Sequence, residues 1–162
     1  MKRYIFRDWD EIKRIEYDIL GQDYLDLLAL CFQYCSSFTA RHAISGCCRI
    51  DIPKYIQKYR IPLTEKNTAP YRWYGYSTEN CENELAHFSL GAEVMDFLVK
   101  RTDDFFRWML NTDCQNLEDL AFFRKDGSVF LHSSTHNGTC VLEALDSEDV
   151  SGVISKPGWE EL

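Results

Sequence analysis

Cysteine and histidine are the residues best able to do chemistry in this 162-residue chain, which carries seven cysteines and four histidines. Cys31, Cys35, His42, Cys47 and Cys48 fall within one short stretch and are the ligand types that hold zinc. Structural zinc sites favour two separated ligand pairs with two-residue knuckles, and Cys31-x3-Cys35 lacks that spacing. Cys31 and Cys35 also lie on the stripe of Tyr24, Leu27 and Leu28 in a strongly apolar helical pattern, where free cysteine packs as a small hydrophobe. An odd number of cysteines without a secretory signal argues against a disulfide framework. The expectation is reduced cysteines, no bound metal and no cofactor.

Cys140 is the natural nucleophile, because His132 and His136 lie close to it in sequence and a Cys–His pair needs hydrogen-bond reach. The geometry follows from two dipeptides, Asp126-Gly127 and Asn137-Gly138, which separate the runs 120–125, 128–136 and 139–145. Both are preferred loops of two-residue hairpins, so three antiparallel strands are expected in succession. Two-residue loops would set Phe123 against Phe130, Phe122 against Leu131 and Ala121 against His132. They would also set His136 against Thr139, Thr135 against Cys140, Ser133 against Leu142 and His132 against Glu143. One face then carries Leu120, Phe122, Val129, Leu131, Cys140, Leu142 and Ala144 and belongs in the core. The other carries Phe123, Phe130, His132, Ser134, His136, Glu143 and Leu145. Cys140 is thus separated from both histidines, and the dyad fails. What is left for an enzyme is a general-base arrangement of His132, His136 and Glu143, which needs a cleft.

No GxGxxG, GxxxxGK[ST], HExxH, GxSxG or EF-hand loop occurs. Charge offers a second route to function. The net charge of −8 is divided as +2 over residues 1–80 and −10 over residues 81–162. An acidic half serves solubility, and it also accelerates encounter with a basic partner. Against this trend, Arg41, Arg49, Lys54, Lys58 and Arg60 are interleaved with Tyr55 and Tyr59, the composition of a weak nucleic-acid strip or of a solvated face.

The elements that must position these groups are those of one α+β domain. Hydrophobic residues make up 45% and aromatics 14%, enough for a sizeable core and too much for disorder. Asp23 reads as the N-cap of a helix over 24–38, and residues 91–101 have helical spacing with a second helix from Asp103. Residues 8–20 suit a strand, a short helix, or one then the other. Runs 71–76 and 85–90 read as strands, and a short helix follows over 147–154. No apolar run approaches the ~20 residues of a membrane helix. Residues 1–8 return to charge after three apolar positions, so no signal-peptide core is expected and a cytoplasmic location follows.

The run 117–130, Leu-Glu-Asp-Leu-Ala-Phe-Phe-Arg-Lys-Asp-Gly-Ser-Val-Phe, continues to Ser133 and His136-Asn137-Gly138. It resembles the C-terminal hairpin motif of a poorly characterised family of small, immunity-protein-like bacterial proteins. This chain departs from that pattern in having Asn116-Leu117 where a proline is expected and Asn137 where an acidic residue is expected. The resemblance implies an immunity partner of a bacterial toxin. The same residues also read as hairpin chemistry, with Asp-Gly for the turn and aromatics for the sheet.

The functional expectation is a non-enzymatic, cytoplasmic interaction protein that binds and neutralises another protein, one with a basic surface. Its expected binding face combines the acids Glu143, Asp146, Glu148 and Asp149 with the aromatic anchors Phe123, Phe130 and Trp159. Rim charges would speed encounter while desolvated aromatics hold the complex. The alternatives are the His132/His136/Glu143 enzyme and a nucleic-acid binder using residues 41–60.

Overall fold

The computed structural model of the chain describes residues 1–43, 53–62, 83–101, 104–106 and 117–162. In chain order the elements are β1 (Lys2–Arg7), β2 (Trp9–Asp10), β3 (Ile15–Glu16), α1 (Gln22–Tyr34), β4 (Ser37–Ala43), α2 (Lys54–Gln57), β5 (Asn83–Ser89) and α3 (Ala92–Arg101). Then come β6 (Leu117–Phe123), β7 (Val129–Ser134), β8 (Thr139–Ala144), α4 (Ser151–Ile154) and β9 (Trp159–Glu161). A seven-stranded sheet runs in the order β5-β4-β6-β7-β8-β1-β9, with every neighbouring pair antiparallel. Strands β2 and β3 form a separate two-stranded ribbon. The class is therefore α+β, as the sequence implies. The C-terminal strands β6, β7 and β8 do not stand as a three-stranded unit: they are the middle of the larger sheet, extended by β4 on one side and β1 on the other.

One sheet face makes the core. Phe38 stacks on Phe88 of β5 at 5.4 Å and on Phe122 of β6 at 5.7 Å, matching their cross-strand registers. Tyr24, Leu27, Leu28 and Cys31 of α1, together with Val94 and Leu98 of α3, are fully buried in the same cluster. The Tyr24 hydroxyl donates to the Leu98 carbonyl at 2.9 Å, which satisfies the polar end of the ring and ties α1 to α3. Burying one Leu or Phe is worth about 1.5–3 kcal/mol, against roughly 0.2–1 kcal/mol for an exposed cross-strand pair, so this layer dominates.

The core layer also explains where local reading fails. Helix α1 stops at Tyr34, because Cys35 turns extended (φ −110°, ψ 161°) while its N–H still reaches Cys31 O. Ser37 then opens β4, so Phe38 and Ala40 serve the sheet and not the helix. At the other end Gly21, at φ 58°, takes the cap position expected of Asp23, which sits in the first turn. The helix expected from Asp103 is replaced, over the described residues 104–106, by a bridge from Asp104 to Leu20 and a hydrogen bond from Phe105 N–H to Ile19 O. The last helix is shorter than expected, Ser151–Ile154, and its Ser151 N–H donates to the Asp149 carboxylate. The run 71–76 lies outside the described residues.

Register differs from the two-residue expectation at both hairpins. Between β7 and β8 the pairs are Ser134↔Thr139, Ser133↔Cys140, His132↔Val141 and Leu131↔Leu142. This is a slip of two positions. The connection is not Asn137-Gly138 alone but the four residues 135–138, pinned by Asp119: Thr135 N–H donates to its carboxylate at 2.8 Å, and Asp119 N–H donates to Thr135 Oγ1 at 3.0 Å. A slip of two leaves each residue on its expected face, because side chains alternate with period two. Between β6 and β7 the pairs Phe122↔Leu131 and Ala121↔His132 hold, but Phe123 pairs with Val129 and leaves Phe130 in a bulge. A bulge re-aims its extra side chain. Phe130 accordingly joins the core cluster and packs 5.6 Å from the Tyr34 ring of α1.

Candidate partner-binding surface

The end of β1 feeds directly into the β2–β3 ribbon. Asp8 N–H donates to Gly138 O at 2.9 Å, and Tyr17 N–H returns to Asp8 O at 2.7 Å, so the ribbon is fastened to the β7–β8 loop. Asp10 organises the ribbon's turn: its carboxylate accepts the N–H groups of Ile12 (3.0 Å) and Lys13 (2.9 Å), and its carbonyl accepts Arg14 N–H at 2.8 Å. Lys13 Nζ completes the arrangement 3.2 Å from Asp10 Oδ2. The hydrogen bonds and the charge of Lys13 hold the Asp10 carboxyl below its usual range.

A turn so well organised presents apolar side chains to solvent. Ile12 is 96% exposed at its tip, with Trp9 at 48% and Ile15 at 45% on the two strands. Single exposed apolar residues are ordinary, whereas a grouping rimmed by polar residues marks an interaction site. Beside the ribbon lies an open cleft of about 910 Å³ whose walls include Trp9, Ile12, Tyr17, Lys156 and Trp159. Trp159 of β9 is half-buried, its ring edge-on to Phe6 at 5.5 Å. Lys156, also in the lining, lies 2.7 Å from Asp23 and in contact with Asp26. Burial works against its charge, but the two carboxylates outweigh this and raise its pKa. Asp8, also in the wall, has its carboxyl pushed up by burial and by the neighbouring Glu16 carboxylate.

The aromatic anchors expected from sequence are placed differently. Phe130 is fully buried and Phe123 is 5% exposed, so neither is available to a partner. Glu148 is likewise no rim charge: its side chain is 7% exposed and accepts from Arg124 Nε at 2.6 Å and from Leu145 N–H at 2.8 Å. Glu143 is held by Arg3 at 3.2 Å, while Asp146 and Asp149 are exposed. Trp159, the third anchor, lines the cleft beside the ribbon.

For the catalytic alternative, the register slip sets His132 opposite Val141, which leaves Glu143 its diagonal neighbour on the same face, and β1 sets Arg3 opposite Glu143. His132 is pushed down to about 4 by burial and by the charge of Arg3, so it is neutral near pH 7. The side chain of His136 lies outside the described positions. Cys140 is fully buried opposite Ser133, and burial raises its thiol well above the usual value. Burial does the same to Cys31 and pushes Cys35 up to about 12, which suits unreactive thiols. Cys47, Cys48 and the side chain of His42 lie outside the described positions. Of the basic strip, Lys58 is engaged by Glu93 at 2.5 Å, and Arg49 and the side chain of Arg41 are not among the described positions.

Sequence reading passed over His87. Its ring is 8% exposed, edge-on to Phe123 at 6.2 Å, and among the described residues neither nitrogen has a hydrogen-bond partner. Leaving such a group unsatisfied costs about 1–3 kcal/mol. It faces Thr39 on the sheet face opposite the main core, far from the cleft's walls.

The motif that carries the family resemblance is accounted for by structure. Arg124 joins Glu148, Val129 O, Glu143 O and the Phe130 ring, and Asp126 accepts both the N–H and the hydroxyl of Ser128. Asp119 holds the next loop, and Ser133 donates to Leu120 O at 3.2 Å. These are fold-making roles. No family model matches the chain, and no curated protein or solved structure matches it.

Proposed function

We propose that this chain is a non-enzymatic binding protein that recognises and neutralises a protein partner through the β2–β3 ribbon and the cleft between that ribbon and β9. The observation that carries this reading is the grouping of Trp9, Ile12 and Ile15, all at least 45% exposed, beside the half-buried Trp159. Aromatic residues at the edge of a pocket are the usual anchors of protein interfaces, because they bury large area at small entropic cost. The net charge of −8 favours a partner with a basic surface through faster encounter. A toxin-immunity protein and an inhibitor encoded by a mobile element are both of this kind.

The test is affinity capture from the native host with three baits: the wild type, Trp9→Ala and Ile12→Asp. The reading expects a basic protein retained in stoichiometric amount by the wild type and lost from both variants. Equal retention by all three baits would contradict it.

A further inference from the structure

Among the described residues, β9 is the last strand at one edge of the seven-stranded sheet. Its ladder to β1 alternates, with Leu162 N–H donating to Arg3 O and Arg7 N–H donating to Gly158 O. The Cα partners between these two bonds are Tyr4↔Glu161, Ile5↔Glu160 and Phe6↔Trp159. In an antiparallel ladder hydrogen-bonded and non-hydrogen-bonded pairs alternate. Gly158, Glu160 and Leu162 therefore turn their backbone groups toward β1, while Trp159 and Glu161 turn theirs outward. Among the described residues nothing pairs with that outward row, and Glu160 and Glu161 are exposed. The opposite edge differs: beyond β5, Ile61 N–H donates to His87 O and Ser89 N–H to Tyr59 O, so that edge is partly covered.

Resting on the binding role above, we infer that β9 receives an extended segment of the partner as an added strand, and that this segment carries consecutive Lys or Arg residues beside an apolar one. Charge decides the occupant. Two copies of this chain paired antiparallel through the centre of β9 would set Glu160 or Glu161 against its own copy, depending on register, and like charges directly opposite are destabilising. A basic segment meets Glu160 on one sheet face and on the other Glu161, which is exposed and only loosely paired with Lys2 at 3.7 Å, because successive side chains alternate. Its next residue falls beside Trp159 and the mouth of the cleft. Main-chain bonds to Trp159 and Glu161 supply affinity and the side-chain positions supply selectivity. Pro157 ends the strand on one side, so pairing on this edge starts no earlier than Gly158.

The probe is a blocked heptapeptide of valine and threonine around two central lysines, titrated into the isotope-labelled full chain while amide exchange is followed. The inference expects slowed exchange at Trp159 and Glu161. It also expects about tenfold weaker binding when alternate peptide nitrogens are methylated, or when the lysines become glutamates. Glu161→Pro removes an outward donor without breaking the β1 ladder, so its melting temperature should stay close to wild type while binding falls about tenfold. Glu160→Lys reads the same edge through charge and should lower binding similarly. Absence of binding, or binding indifferent to methylation and to Glu161→Pro, overturns strand addition. If strand addition falls while the captured partner is still lost with Trp9→Ala, the cleft reading stands; if the partner survives both Trp9→Ala and Ile12→Asp, that reading falls instead.

Discussion

Arg124 and Glu148 form a two-pronged ion pair inside the protein, with Nε–Oε1 at 2.6 Å, Nη2–Oε2 at 2.7 Å and both side chains 7% exposed. It joins the start of the β6–β7 loop to the segment leading into α4. The guanidinium also donates to the carbonyls of Val129 and Glu143 and lies 5.1 Å from the Phe130 ring centroid. Removing one member leaves the other charge buried without its partner, which typically costs about 3–5 kcal/mol. Glu148→Ala should therefore lower stability by that order in denaturant titration, well beyond Asp149→Ala at an exposed position. Similar midpoints for the two variants would count against the pair's structural role.

Glu148 also sets an acid limb. Burial tends to raise its carboxyl, but the hydrogen bonds from Arg124 and Leu145 N–H outweigh this and hold it low. A carboxyl depressed in the fold contributes stability above its unfolded value near 4.5, and that contribution is lost as pH falls through the folded value. Glu148→Gln should then be less stable than wild type at neutral pH, and the two should converge as pH falls below 4.5 and through the lower folded value. Parallel stability curves through the acid range would oppose this.

His132 acts in an adjoining window. Its pKa falls from 6.5 to about 4, through burial and then Arg3, so the folded protein keeps it neutral while the unfolded chain protonates it. The sign is a loss of stability as pH drops from about 6.5 toward about 4, worth up to about 3 kcal/mol when complete. His87, lowered by burial, adds in the same direction. His132→Phe should flatten the stability curve between pH 6.5 and 4, and calorimetric melting across that range would show it. A slope unchanged by the substitution would remove His132 from the account.

Two glycines with positive φ should respond very differently to alanine. At Gly127, φ 84°, an added Cβ meets nothing within 4 Å, so only backbone strain of about 1 kcal/mol is at stake. At Gly158, φ 92°, the same atom would lie 2.5 Å from Cε2 of Phe6. That ring is 1% exposed and held between Phe106 at 5.6 Å and Trp159 at 5.5 Å, so it cannot swing aside. Gly158→Ala should cost about 1–3 kcal/mol more than Gly127→Ala by chemical denaturation, since overpacking is added to strain. Equal costs would mean that the Phe6 cluster yields.

The sequence made some of this visible and hid the rest for physical reasons. Helix α1 was legible because Tyr24, Leu27, Leu28 and Cys31 repeat at helical spacing and all reach the core. Strands β6, β7 and β8 were legible through their alternation and their Gly-containing loops, and face assignment survived a two-residue slip because of the pleat's period. The slip itself depended on Asp119, sixteen residues from Thr135, and no local dipeptide rule contains that contact. Phe130 crossed to the core through a bulge, which alternation also cannot foresee. Strands β1 and β9 are short and charge-flanked and exist by pairing with distant partners, so local pattern gave them little weight. Exposure was hidden for a related reason. Charge counting pointed to Glu148, and aromatic counting to Phe123 and Phe130, whereas exposure belongs to Trp9, Ile12 and Ile15 in a stretch whose pattern fits helix and strand alike.

The central claim is the location of the partner-binding surface, and amide hydrogen exchange of the captured complex tests it most directly. Protection on binding should appear over residues 8–17 and at Trp159 and Glu161, with β5 unaffected. Protection confined to the β5 edge or to residues 145–149, with the ribbon exchanging as in the free protein, would contradict the account.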